Sequence, residues 1–91
     1  MIFESRPNVV IDCSCLAIKS GNCIILKGGK EAQNSNNILV ETVREAIKEF
    51  IPINSVQLIS SRDDVSELLK QNKYIDVIIP RGGENLINFV Y

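Results

Sequence analysis

Ser20-Gly21-Asn22-Cys23-Ile24-Ile25-Leu26-Lys27-Gly28-Gly29-Lys30-Glu31-Ala32 is the stretch on which the fold turns. Gly21 suits the end of a helix, because glycine takes the left-handed cap without a Cβ penalty. Cys23 to Leu26 is an unbroken apolar run, the pattern of a short strand covered on both faces. Lys27, Gly28, Gly29 and Lys30 follow at its carboxyl end. Positive charge is thereby delivered to the edge at which open α/β sheets bind their ligands. Two glycines in that turn let a ligand approach the backbone closely.

The same alternation continues on both sides. Met1 to Glu4 reads as a short strand, and Pro7 suits the first turn of the helix that Gly21 ends. Val9, Val10, Ile11, Cys13, Leu16, Ala17 and Ile18 leave that helix little polar face, so it is expected to be largely buried. After the glycine turn, Asn34 or Ser35 is expected to cap a second helix. Leu39, Val43, Ala46, Ile47 and Phe50 form its apolar stripe, Glu41, Arg44, Glu45, Lys48 and Glu49 its wet face, and Pro52 its stop. Val56 to Ile59 is a third strand. Ser61-Arg62-Asp63-Asp64 opens a third helix with acids placed to suit its dipole, and Val65, Leu68 and Leu69 face inward. Ile75 to Ile79 reads as a fourth strand. Pro80-Arg81-Gly82-Gly83 turns into a fourth helix from Glu84, with Leu86, Ile87 and Val90 inward.

Strands alternating with helices predict an α/β domain, a parallel sheet with right-handed crossovers. All four strand ends then share one edge. Ser5 and Arg6, Lys27 to Lys30, Ser60 and Ser61, and Arg81 to Gly83 meet there. Arg81-Gly82-Gly83 stands before a helix N-terminus, where free amides attract anions.

The 91 residues, positions 1–91, make one domain at most. A net charge of −1, with both signs interspersed, argues against nucleic acid as a partner. No apolar run approaches the roughly 20 residues of a membrane span, and no secretory leader is expected ahead of Glu4 and Arg6. The three cysteines, Cys13, Cys15 and Cys23, lie in apolar stretches and read as core residues of a reducing cytoplasm. Without histidine, and with Cys13-x-Cys15 lacking a second ligand pair, no metal site is expected. A histidine-based triad is impossible within the chain. The P-loop and the G-x-G-x-x-G fingerprint are both missing. A receiver domain shares the alternation but needs an aspartate after the third strand, where serines stand.

Four segments, in order and spacing, resemble the γ-glutamyl phosphate reductase (glutamate-5-semialdehyde dehydrogenase) family of the aldehyde dehydrogenase superfamily. They are Phe3-Glu4-Ser5-Arg6-Pro7-Asn8; Leu16-Ala17-Ile18-Lys19-Ser20-Gly21-Asn22; Leu26-Lys27-Gly28-Gly29-Lys30-Glu31-Ala32 with Ser35-Asn36; and Ile78-Ile79-Pro80-Arg81-Gly82-Gly83. The resemblance implies a truncated, three-layer Rossmann-like sheet of strand order 3-2-1-4 with helices on both faces. It further implies a cytoplasmic, NADPH-dependent oxidoreductase of proline biosynthesis that reduces γ-glutamyl phosphate through a cysteine thioester. Family members are several-fold longer, and their nucleophile lies beyond the position matching Tyr91. None of the cysteines here matches it, so no catalytic residue is expected. The chain is expected to be part of the cofactor-binding domain, associating with itself or with the remainder of a reductase. The alternative is a stand-alone, non-catalytic nucleotide- or phosphate-binding module.

By the resemblance, Lys27 reaches the adenosine ribose. Lys30 stands where NAD-using relatives often carry a glutamate, and a lysine there attracts a 2′-phosphate. Gly28 and Gly29 shape that turn. Arg81, Gly82 and Gly83 match the pyrophosphate turn, although Gly83 replaces its serine and Ile87 its last glycine. Ser5 and Arg6 match the region that faces the substrate.

Overall fold

The structure, a computed structural model, describes residues 1–4, 6–71 and 73–90, with the backbone alone at 62, 89 and 90. Strand β1 (Ile2–Phe3) leads into helix α1 (Asn8–Lys19). Pro7 precedes α1 with φ −58°, and the Val9 and Val10 amides bond back to the Arg6 and Pro7 carbonyls. Proline costs nothing there, since its missing donor has no partner in a first turn. At the other end Gly21 takes φ +81°. Its N–H donates to the Ile18 carbonyl at 3.0 Å and that of Asn22 to Ala17 at 2.8 Å, the paired closure of a Schellman cap.

Strand β2 (Ile24–Lys27) follows, then helix α2 (Gln33–Ile47), β3 (Val56–Ile59), α3 (Arg62–Leu69), β4 (Pro80–Arg81) and α4 (Glu84–Val90). The sheet has the order β3-β2-β1-β4 with every pair parallel, as expected. Ile24 to Lys27 pair one for one with Val56 to Ile59. Right-handed crossovers put α1 and α2 on one face, as the chain steps from β1 to β3, and α3 on the other as it returns to β4. Phe3, Val9, Val10, Leu26, Val40 and Val56 form the core cluster. Ser61 caps α3, its hydroxyl accepting the Asp64 N–H at 3.0 Å.

Several expectations are corrected. Helix α1 is not largely buried: Val9, Val10 and Ser14 are, but Cys15 is exposed and Leu16 is 69% exposed. One stripe of α1 meets the sheet and α2, and no described element covers the other. Cys23 is exposed as well, ahead of β2, so Cys15 and Cys23 are not core residues, while Cys13 is half-buried and packs against the core cluster. Neither Asn34 nor Ser35 caps α2. A 3-10 turn over Lys30–Ala32 starts the coil early and makes Ala32 the cap residue. The buried stripe of α2 begins at Asn36 and Val40, while Ala46 is exposed and Phe50, past the helix end, is 82% exposed. The helix stops at Ile47, well ahead of Pro52.

The fourth strand is Pro80–Arg81, not Ile75–Ile79. Among the described residues it pairs with β1 alone, and the register Ile2↔Pro80 and Phe3↔Arg81 reaches no further back than Met1 beside Ile79. Residues 75–78 thus have no ladder partner, and an apolar run without one is not a strand. Ile87 is exposed, because α4 lies at the end of this short strand. Val90, expected inward, lies outside the described side chains.

Met1 stands directly before β1. Its terminal ammonium donates to the Ile25 carbonyl at 3.0 Å, partly buried in the sheet. Burial holds this group below its ordinary pKa of 8.0, a fall that the nearby Cys13 partly opposes. The folded state therefore sheds this proton at lower pH than the unfolded chain does. Stability should rise with pH through the window that ends near 8.0, and be lowest below it. Urea midpoints at pH 6 and pH 8.5 test this. The difference should shrink in the Nα-acetylated chain, and an unchanged difference would assign it to other groups.

Candidate functional site

The carboxyl edge of the sheet carries two clusters. The first closes β2. Lys27 is half-buried and its ammonium donates to the Gly28 carbonyl. Lys30, three residues on, is exposed at the start of the 3-10 turn. Gly29 is extended, and its N–H donates to the Glu4 carbonyl at 2.7 Å, which ties the two central strand ends together beyond their ladder. The space a Cβ on Gly29 would need is taken by that carbonyl, 2.8 Å away, and by the Glu31 carboxylate at 2.9 Å. Gly28 is buried, and a Cβ there would overlap the Asn36 amide nitrogen and stand 3.0 Å from Phe3 Cζ. Its glycine is therefore needed by the core below the turn, whatever approaches from above.

Asn36 is buried under this turn with its Oδ1 unpaired among the described residues. Beside it lies a small cavity of about 10 Å³, bounded by Gly28, Gly29, Lys30, Gln33 and Ser60. A space of that size suits a single water.

The second cluster lies where β1 and β4 end. Phe3, Glu4, Arg6, Val9, Arg81 and Gly82 line an open cleft of about 300 Å³. It contains two guanidinium groups and one carboxylate. Glu4 Oε1 accepts the Gly83 N–H at 3.1 Å, so a residue of the first strand end holds the first free amide ahead of α4. A Cβ on Gly82 would meet that carboxylate at 2.5 Å. No ion pair joins Glu4 to Arg6 or Arg81 among the described residues. Ser5 lies outside the described residues.

The strand order reverses between β1 and β4: the chain grows outward from β1 to β3, then returns to the other side. Ligands of open α/β sheets bind at such a reversal. The residues expected at the site fall into these two groups, with Lys27, Gly28, Gly29 and Lys30 at the β2 end and Arg6, Arg81, Gly82 and Gly83 around the reversal. Two further residues had not been singled out. Glu4 stands inside the quoted Phe3-to-Asn8 segment, but nothing local says that its carboxylate bonds an amide beyond β4. Asn36 falls four residues before Val40 on the inner stripe of α2, a spacing that signals its burial once polar residues are admitted to that stripe.

The cysteines are elsewhere. Cys13 and Cys15 lie on α1, and Cys23 precedes β2, at the opposite edge from Lys27. Among the described residues no helix is long and apolar enough to cross a membrane.

No protein-family model matches the chain. A gamma-glutamyl phosphate reductase of Aliarcobacter butzleri is 52% identical over 93 residues, covering 99% of this chain and 23% of that protein. The crystal structure of gamma-glutamyl phosphate reductase from Thermotoga maritima superposes with a TM-score of 0.92 at 49% identity, over 98% of this chain and 22% of that one. The chain is homologous to one segment of the gamma-glutamyl phosphate reductases. A probable gamma-glutamyl phosphate reductase of Schizosaccharomyces pombe is 50% identical over 99% of this chain. The reductase structure from Saccharomyces cerevisiae gives a TM-score of 0.88 at 46% identity. The chain spans about a fifth of the length of the reductases it matches, 20% of the Schizosaccharomyces protein and 23% of the Aliarcobacter one.

Proposed function

We propose that this chain is part of the cofactor-binding domain of an NADPH-dependent gamma-glutamyl phosphate reductase, which reduces γ-glutamyl phosphate to glutamate 5-semialdehyde in proline biosynthesis. The observation that carries the reading is the pair of cationic clusters on one sheet edge, flanking the reversal of strand order. Lys27 and Lys30 receive the adenosine ribose and its 2′-phosphate, on a turn whose backbone Gly28 and Gly29 hold close to β1. Arg81, Gly82 and Gly83 receive the pyrophosphate. Glu4 already holds the Gly83 N–H, so an incoming diphosphate takes that donor only by displacing a carboxylate of like charge. Arg6, which lines the cleft, is assigned with Ser5 to the substrate. The thiol and the acyl-phosphate pocket come from the remainder of the reductase polypeptide, since the three cysteines lie away from this edge. When bound, the nicotinamide supplies hydride; this chain's part is to hold and orient its carrier.

Adenosine 2′,5′-bisphosphate and AMP isolate the ribose-phosphate contact from the nicotinamide pocket. A solvent-screened lysine contact, as at the exposed Lys30 and the half-buried Lys27, is worth about 0–1 kcal/mol. Two together give roughly tenfold preference for the bisphosphate, since about 1.4 kcal/mol is a factor of ten. Titration calorimetry at low salt should show that preference, and added salt should reduce it. Lys30→Glu should abolish the preference while leaving AMP affinity nearly unchanged. Equal weakening of both ligands would make Lys30 a solvated turn residue and remove the NADPH assignment.

A further inference from the structure

We infer that one buried water, held by Asn36, fixes the Lys27–Lys30 turn to α2 and to the end of β3. Asn36 is the fourth residue of α2, with 2% of its surface exposed, and its Oδ1 meets no donor among the described residues. An unpaired buried acceptor is costly, so folded proteins meet such groups with their own donors or with ordered water. The one ammonium at the head of this turn is engaged elsewhere, since Lys27 donates to the Gly28 carbonyl.

The cavity beside Asn36 measures about 10 Å³, which admits one water. Its walls grade from floor to rim. Asn36 and Gly28 are buried, Gly29 is half-buried, and Lys30, Gln33 and Ser60 are exposed. A carboxamide oxygen only accepts, so the water turns one proton inward to Asn36. Its other proton and its lone pairs face the rim, where Lys30 belongs to the turn, Gln33 begins α2 and Ser60 follows β3. A buried water usually makes about three hydrogen bonds, and three elements surround this one with polar groups.

The direct bonds of the turn are uneven. Towards β1 the Gly29 N–H reaches the Glu4 carbonyl at 2.7 Å, a short bond. Towards α2 the Ala32 N–H reaches the Gly29 carbonyl at 3.4 Å, beyond the usual range. The water supplies the tie on that second side. Asn36 is then a positioning residue: it acts through the turn that carries Lys27 and Lys30. That role bears on ligand choice only under the function proposed above, whereas the water site does not depend on it.

Three forms of the whole chain test this: unmodified, Asn36→Leu, which removes the acceptor at similar size, and Asn36→Asp, which keeps it. In the unmodified chain the Asn36 side-chain amide protons should show the NMR cross-peak of a long-lived water, and its absence would overturn the inference whatever the variants do. Oxygen-17 relaxation dispersion should count one long-lived water fewer in Asn36→Leu and no loss in Asn36→Asp. Exchange of the Gly29 amide should quicken about twofold to tenfold in Asn36→Leu, the value of one ordinary hydrogen bond, and recover in Asn36→Asp. The slowest core amides should keep their rates, because leucine suits a buried position. Equal water counts in the unmodified chain and Asn36→Leu would sink the idea. So would a Gly29 rate that rises only in step with the core amides, which is what general destabilisation gives. No readout here uses a nucleotide, so this inference and the proposed function fail separately.

Discussion

Leu26→Ala is expected to cost about 2–5 kcal/mol of stability, the range for truncating a well-packed leucine. Leu26 has no exposed surface. It sits inside β2, opposite Leu58 of β3, in a core cluster with five other buried members among the described residues. Domains of this size lose about 4–8 °C in melting temperature per kcal/mol. A fall of roughly 10 °C or more is therefore expected. Ile38→Ala is the matched control. Ile38 is equally apolar but 67% exposed on α2, and surface truncations usually stay within about 0.5 kcal/mol. Thermal melts that move alike for both variants would show that the core does not centre on β2.

Gly28→Ala is expected to cost about 1–3 kcal/mol, the usual penalty for adding a methyl to a filled space. The added carbon would overlap the Asn36 amide and crowd Phe3 at 3.0 Å. Both are buried, with 2% and 3% of their surface exposed, so neither has room to yield. Gly82→Ala is the contrast. Its nearest neighbours are the tip of the Glu4 side chain at 2.5 Å and Leu86 Cδ2 at 2.8 Å. The Glu4 carboxylate can swing into solvent, and the loss should be smaller. Asn36→Ala in the Gly28→Ala background separates the causes. If the clash sets the cost, the double variant should be less destabilised than the sum of the singles, with a coupling of about 0.5 kcal/mol or more. Additive losses would mean that Gly28 is held by its backbone rather than by its neighbours.

Strand β3 was legible in the sequence because the signals there are local, whereas the order of the sheet came from the alternation of elements and the family resemblance. Val56 to Ile59 is a short apolar run between turn residues, and Ser61 with its following acids announces α3. The run from Ile75 to Ile79 has the same character and does not form a strand. Composition states what a segment can pair with, whereas pairing needs a partner in register, and β1 offers none beyond Ile79. Helix α1 fails in the same manner. Its apolar residues show how much it could bury, and Leu16 shows that burial also requires something to lie against. At the candidate site, the gathering of Lys27, Lys30, Arg6 and Arg81 on one edge followed from the rule that parallel strands end together. The bond from Gly83 to Glu4 did not, because it spans 79 positions of sequence and no local pattern encodes it. At Gly28 the structure adds a reason for the residue type that the sequence did not offer: its missing side chain makes room for Asn36 and Phe3.

The separation of the two cationic clusters makes the edge a ruler. Neighbouring strands stand about 4.8 Å apart. The Lys27–Lys30 turn closes β2, and the arginine cleft lies across β1 towards β4. One to two strand spacings, about 5–10 Å, therefore divide them. Under the proposed function, a compact anion such as inorganic phosphate satisfies one cluster and leaves the other to solvent. A molecule with anionic groups at both ends of a longer frame engages the second cluster as an intramolecular event, at an effective concentration in the millimolar range. Among ligands of equal charge, an edge working in the proposed way discriminates by span.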